Sequence, residues 1–97
     1  MICTKEGVIY DLQNFNSEEV QSIQFTHKNE EGKYEPGTTN EEVIDMLIER
    51  QYSLQKKKFS TENEVIIMML KDIRRLLKKR LSNKIQTVKK SHEKYPV

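Results

Sequence analysis

The chain has 97 residues, 35% hydrophobic and 33% charged, with no tryptophan; this length holds one hydrophobic core and leaves no room for a second domain of ordinary size. The lone thiol, Cys3, rules out an internal disulfide framework and fits a reducing compartment, while the lack of a signal-like start or of an apolar stretch near about 20 residues argues against secretion and membrane spanning. The net charge of +2 hides a division: residues 71–97 carry ten Lys/Arg against two acids, residues 1–70 seven against thirteen, so the C-terminal part suits either an anionic ligand or a solvated helix face.

In chain order, residues 7–12 and 20–28 read as short strands. In the second, Ile23, Phe25 and His27 alternate with Ser22, Gln24 and Thr26, the period of a half-buried strand. Residues 14–19 between them read as a turn or a short helical turn, with Ser17 as a candidate cap. Residues 29–38 carry Gly32, Pro36 and Gly37 without an apolar period and read as an exposed loop.

A helix start follows. Thr39 with Glu42 three residues later forms a capping box, in which the hydroxyl accepts from an amide of the first turn and the carboxylate reaches back. The first helix is expected over 40–55, with Val43, Leu47 and Leu54 on one face beside Ile44 and Ile48. Lys56 to Phe59 form a short link, and Ser60 or Thr61 caps a second helix running from Thr61 to Lys84 or beyond. So short a link makes the pair an antiparallel hairpin. The expected stripe of the second helix is Ile66, Leu70, Ile73, Leu77 and Leu81, widened by Met69 and Leu76. Residues 65–70 are apolar all round, more than one partner helix covers, and the thin apolar supply of a short chain points the same way, to self-association. The fold class expected is α+β: N-terminal antiparallel strands, then a long two-helix hairpin that assembles into a homo-oligomer. The whole is one domain over 1–97, subdivided as 1–38 strand and loop, 39–90 hairpin and 91–97 tail.

No spacing suits catalysis. His27 and His92 are far apart in sequence, no Cys-x-x-Cys or His-Glu-x-x-His pattern exists, and three scattered glycines make no phosphate loop. Cys3 is too near the N-terminus to be held as a nucleophile. A non-enzyme without metal or cofactor is expected. Binding has more to offer: Arg74 and Lys78, Arg75 and Lys79, and Arg80 and Lys84 recur at i, i+4 on the second helix, and the planar fork of Arg80 orients phosphates where a lysine acts as a point charge. The same cations also suit a solubilised helix end.

Three stretches carry a resemblance covering about residues 20–92. They are Ile23-Gln24-Phe25-Thr26-His27-Lys28; Gly37-Thr38-Thr39-Asn40-Glu41-Glu42-Val43 with Leu47-Ile48-Glu49-Arg50; and Phe59-Ser60-Thr61-Glu62-Asn63 followed by Leu77-Lys78-Lys79-Arg80 and Lys84. Together they resemble the small phage proteins that act as nucleotide sponges, the Thoeris anti-defence and anti-CBASS proteins that share a helical-hairpin domain; the N-terminal strands place the likeness nearer the Thoeris branch. The resemblance implies sequestration of cyclic nucleotide immune signals without degradation: glycocyclic ADP-ribose from TIR enzymes, and also the cyclic di- and trinucleotides of CBASS. It implies dimers or hexamers with pockets between protomers, in the cytoplasm of an infected bacterium. Carried over by position, Asn63 contacts ligand near the hairpin, Phe59 or Tyr52 stacks on adenine, and Arg80 and Lys84 face phosphates; Thr38 and Arg50 lie in matching stretches and join the ligand-binding set. The sequence departs from the family at Lys84 and Thr61, where arginine is expected, and at Leu76, where tryptophan is; the first two changes remove bidentate donors. Plainer roles stand beside these: Phe59 as a hairpin staple, Asn63 as a capping residue, Tyr52 as a core edge.

Two other classes compete. A small DNA- or RNA-binding regulator would use the basic helix, although the basic half lacks interleaved aromatics apart from Tyr95 and has no reading module. An interaction module would use the surface of Met46, Met68 and Met69 to accept a partner helix.

Overall fold

A computed structural model describes residues 1–91, with side chains for 1–83. Its contacts gather into two compact units, Met1–Asn40 and Glu41–Val97. The elements are β1 (Ile2–Lys5), β2 (Ile9–Gln13), β3 (Val20–Gln24), β4 (His27–Lys28), β5 (Tyr34–Glu35), α1 (Asn40–Lys57) and α2 (Thr61–Ser91). This is the α+β class the sequence predicts, with antiparallel strands leading into two helices. The expected tail beyond Ser91 lies outside the described residues.

In the first unit β1, β2 and β3 form an antiparallel sheet in that order. Tyr10 pairs with Cys3 on one side and Ile23 on the other, so the period of two puts Val8, Tyr10, Ile23 and Phe25 on one face. Tyr10 and Phe25 meet edge to face with ring centroids 6.0 Å apart, a favoured arrangement of their quadrupoles. The opposite face is mixed, with Ile9 and Val20 among polar side chains, and holds the Ser22 hydroxyl donating to Asp11. Strand β1 is an element the periodicity did not announce; Gly7, at φ 74°, makes the turn that returns the chain from it.

Two expectations need correction here. The segment 20–28 is not one strand: after Gln24 the chain leaves the sheet, Phe25 bridges to Thr38, and His27–Lys28 pair with Tyr34–Glu35 instead. The segment 29–38 is accordingly not a plain loop but the second arm of a tight hairpin. Asn29 organises it, its side-chain oxygen accepting from the Glu31 and Lys33 amides, both at 3.0 Å, a local mimic of backbone turn bonding. His27 faces Glu35 across this hairpin at 3.5 Å.

The crossing at Phe25 depends on Gly37. A Cβ there would meet the backbone of Phe25 and Thr26 at well under 3.0 Å, and that backbone is pinned by the Thr26 amide on the Thr38 carbonyl and the Thr38 amide on the Gln24 carbonyl. Gly37→Ala is expected to lower the stability of the first unit by about 2 kcal/mol or more, since a pinned backbone has nowhere to move. Proton exchange of the Phe25, Thr26 and Thr38 amides checks this: all three accelerate in the variant, while α1 and α2 amides do not.

In the second unit α1 begins immediately after Thr39, at the predicted cap. Ser60 is the residue that caps α2, its hydroxyl accepting from the Asn63 amide at 3.0 Å, which decides between Ser60 and Thr61. The helices are antiparallel: Asp45 meets Arg74 at 3.4 Å, Lys71 lies over the Tyr52 ring and Gln55 reaches Glu64. Ile48 of α1 and Ile67 of α2 are the buried residues, at 5% and 6% exposure, with Ile44, Leu47, Leu54, Leu70 and Leu77 half-buried around them.

The stripe expected on α2 therefore divides. The side facing α1 runs through Asn63, Ile67, Leu70, Arg74 and Leu77. Ile66, Met69, Ile73 and Leu76, read as core, stay exposed. A 3.6-residue period allows either row, because the two rows are one residue apart and each carries three or four apolar residues.

Candidate functional site

The hairpin end of the helical unit is held by a set of side-chain hydrogen bonds. Gln55, in the last turn of α1, holds it three ways: its amide nitrogen donates to the Ser60 carbonyl at 2.9 Å and to Glu64 at 2.8 Å, and its amide oxygen accepts from the Ser60 backbone at 2.9 Å. With the Lys58 amide also closing back on the Leu54 carbonyl, the link has little freedom. Phe59, in that link, is held outward with 68% of its surface exposed. Sequence reasoning missed Gln55, since a glutamine at the end of an amphipathic helix carries no periodic signal.

Asn63 lies one turn into α2, half-buried. Its backbone amide is used by the Ser60 cap, while its carboxamide makes no hydrogen bond among the described residues. An aromatic face and an uncommitted amide thus sit within four residues of each other at a helix N-terminus, where backbone N–H groups favour negative charge.

The other predicted residues separate. Tyr52 is 40% exposed, but the Lys71 ammonium sits 4.9 Å from its ring centroid and occupies one face by a cation–π contact. Phe59 has no such companion among the described residues and is the better stacking surface. Arg50 lies two residues from Tyr52, about 200° around α1, and lines a different feature, an open groove of about 440 Å³ with Met46, Ser53, Leu54 and Lys57. Thr38 belongs to the first unit, where both of its backbone groups serve the crossing described above.

The cations of α2 sort by partner. Arg74 is tied to Asp45 and Arg75 to Asp72, the latter at 3.2 Å. Lys78, Lys79 and Arg80 are exposed and form no ion pair among the described residues. The side chain of Lys84 lies outside the described residues, although its backbone belongs to α2. At 1.5 Å of rise per residue, Asn63 and Arg80 stand about 25 Å apart along one helix. No single chain brings the hairpin aromatic and the terminal cations to one small ligand.

A second hollow, of about 550 Å³, lies in the first unit between Lys5, His27, Lys28, Glu31 and Glu35. Its charges are of both signs, and no aromatic lines it. Among the described residues no group of three or more His, Cys, Asp or Glu side chains could hold a metal ion, and no helix is long and apolar enough to cross a membrane. Compared with known proteins, the chain matches no family model, no curated protein and no solved structure.

Proposed function

We propose that this protein is a nucleotide sponge, a non-enzymatic binder that sequesters cyclic nucleotide immune signals. The observation that supports it most directly is the hairpin end, where Gln55 holds a link that presents the unpartnered ring of Phe59 beside the uncommitted amide of Asn63. An adenine needs an aromatic face for stacking and amide-type groups for its edge. Its phosphates need cations, and the Arg80 fork and the neighbouring Lys79 supply charge-assisted donors. Nothing in this set cleaves or transfers a bond, so the ligand leaves as it entered.

The resemblance to the Thoeris anti-defence and anti-CBASS proteins names the ligand classes: glycocyclic ADP-ribose first, the cyclic di- and trinucleotides of CBASS second. It also makes the host cytoplasm the place of action and a homo-oligomer the working form. In this reading Phe59 stacks, Asn63 reads the base edge, and Arg80 with Lys84 neutralises phosphate; Tyr52, Thr38 and Arg50 take secondary parts.

A second reading has its own support. Lys78, Lys79 and Arg80 form no ion pair among the described residues and lie along one end of α2, as the phosphate contacts of a small nucleic-acid-binding regulator would. That protein binds duplexes with an affinity falling steeply as salt rises.

Calorimetric titration with glycocyclic ADP-ribose and, separately, with a cyclic trinucleotide decides between them. The sponge takes up one or both stoichiometrically, and heating the complex returns the ligand unchanged. Absence of heat with either ligand, together with salt-sensitive duplex binding, would replace the first reading by the second. Recovery of a hydrolysed ligand would reject both.

A further inference from the structure

Three lysines stand in succession at the hairpin end. Lys56 and Lys57 close the last turn of α1, and Lys58 opens the link to Phe59. All three are exposed, and none forms an ion pair among the described residues. Cations commonly end a helix, because its last carbonyls carry negative charge. That preference favours the three about equally, but their directions differ. Gln55 faces the link, and the lysines follow it around the axis in steps of about 100°. The Lys58 amide still bonds the Leu54 carbonyl, so the turn carries through that residue. Lys57 therefore points about 200° away from Gln55, into the open groove that it lines with Arg50. Lys56 and Lys58 stand about 100° and 60° to either side of Gln55, flanking the link that presents Phe59.

A nucleotide stacked on Phe59 needs a cation for its phosphate within a side chain's length of the ring. The other cations of α2 are committed or distant. Arg74 is tied to Asp45 and Arg75 to Asp72, Lys71 lies over Tyr52, and Arg80 is about 25 Å of helix beyond Asn63. Resting on the sponge reading, we propose that Lys58, with Lys56, holds the diphosphate of the nucleotide stacked on Phe59, while Lys57 takes no part. The hairpin end of a single chain then offers a ring, a carboxamide and two ammonium groups.

Two acids stand close by, Glu62 and Glu64 in the first turn of α2, and Gln55 engages Glu64 at 2.8 Å. Three lysines against two acids leave this tip only weakly positive. A flat anionic surface such as a membrane responds to summed charge and is attracted little. A compact dianion instead responds to where individual ammonium groups sit, and two of them sit beside the exposed ring.

The test is calorimetric titration of full-length variants with glycocyclic ADP-ribose at two ionic strengths. Lys58→Gln is expected to weaken binding roughly tenfold and Lys56→Gln/Lys58→Gln further, since charge-assisted hydrogen bonds to phosphate are lost. Lys57→Gln changes affinity by less than about twofold, the screened effect of a charge that makes no contact. Lys58→Arg keeps most of the affinity. Raising the salt weakens the wild type more than the double variant. Adenosine, which has no phosphate, separates stacking from charge when binding is followed on the Phe59 ring resonances: wild type and the double variant take it up equally. That equality also shows the double variant to be folded at the hairpin end. Equal losses in Lys57→Gln and Lys58→Gln, or an unchanged affinity in the double variant, overturn the proposal and leave the sponge reading standing. A wild type that takes up no nucleotide but gathers on phosphatidylserine vesicles overturns both and assigns the tip to lipid.

Discussion

Ile67→Asp is expected to unfold the helical unit, whereas Met68→Asp, one residue on, leaves it folded. Ile67 is 6% exposed and Met68 58%. A carboxylate at Ile67 would sit in the seam against α1 without a free cation to pair with: Arg74, on the same side of α2, is already tied to Asp45. Burying an unpaired charge costs several kcal/mol, and the aliphatic contacts of the isoleucine, worth about 2–4 kcal/mol when truncated, go with it. Small domains have about 5–15 kcal/mol in all, and among the described residues of this seam only Ile48 and Ile67 are buried. Loss of the cooperative thermal transition in Ile67→Asp, with Met68→Asp melting close to wild type, checks the assignment. Equal behaviour of the two would mean that α2 turns a different side to α1.

Removing the hairpin aromatic is expected to have the largest effect on ligand capture. Stacking of a base on an aromatic ring is worth about 1–3 kcal/mol, so Phe59→Ala should weaken binding of glycocyclic ADP-ribose by roughly tenfold to a hundredfold, and Phe59→Ala/Asn63→Ala further. The fold should not register either change. Phe59 is 68% exposed, and the part Asn63 plays in the cap is its backbone amide, which alanine keeps. Tyr52→Ala should cost less affinity, because Lys71 occupies one side of that ring. Titration of the three variants beside their melting curves separates the cases. A Tyr52→Ala variant that loses more than Phe59→Ala would move the stacking surface from the link to α1.

The two helices were legible because their boundaries are chemical. Thr39 with Glu42 marks the start of α1, and Ser60 supplies the hydroxyl that caps α2, each within a few residues of the element it begins. The shortness of the link, with Leu54 and Lys58 closing its first turn, makes the hairpin antiparallel before any packing is considered. Strand β3 was legible from the alternation around Ile23. Strand β1 and the β4–β5 pair were not: Ile2–Lys5 carries no period of its own, and Tyr34–Glu35 becomes a strand only because Asn29 folds the intervening turn onto itself. Gly37 looked like a loop residue and is a contact point, a fact carried by the neighbouring Phe25 backbone and by nothing in the glycine's own surroundings in sequence.

Of the candidate residues, sequence types and spacing alone singled out Arg80 with Lys84 as cations for phosphate, and the resemblance added Phe59, Asn63, Tyr52, Thr38 and Arg50. Which of them share a surface was decided by rotation around the helices and distance along them. Arg50 and Tyr52, two positions apart, point to nearly opposite sides of α1, and Arg80 lies far along α2 from Asn63. Local chemistry, meaning caps, turns and the 3.6-residue period, acts over a few residues and can be read in a string. The choice between the Ile67 row and the Ile66 row as the inner face of α2 could not be, because both rows are apolar and the free energy that separates them comes from Ile48, Leu47, Asp45 and Tyr52 on another helix. Tertiary packing made that choice, and in making it left the Ile66 row uncovered.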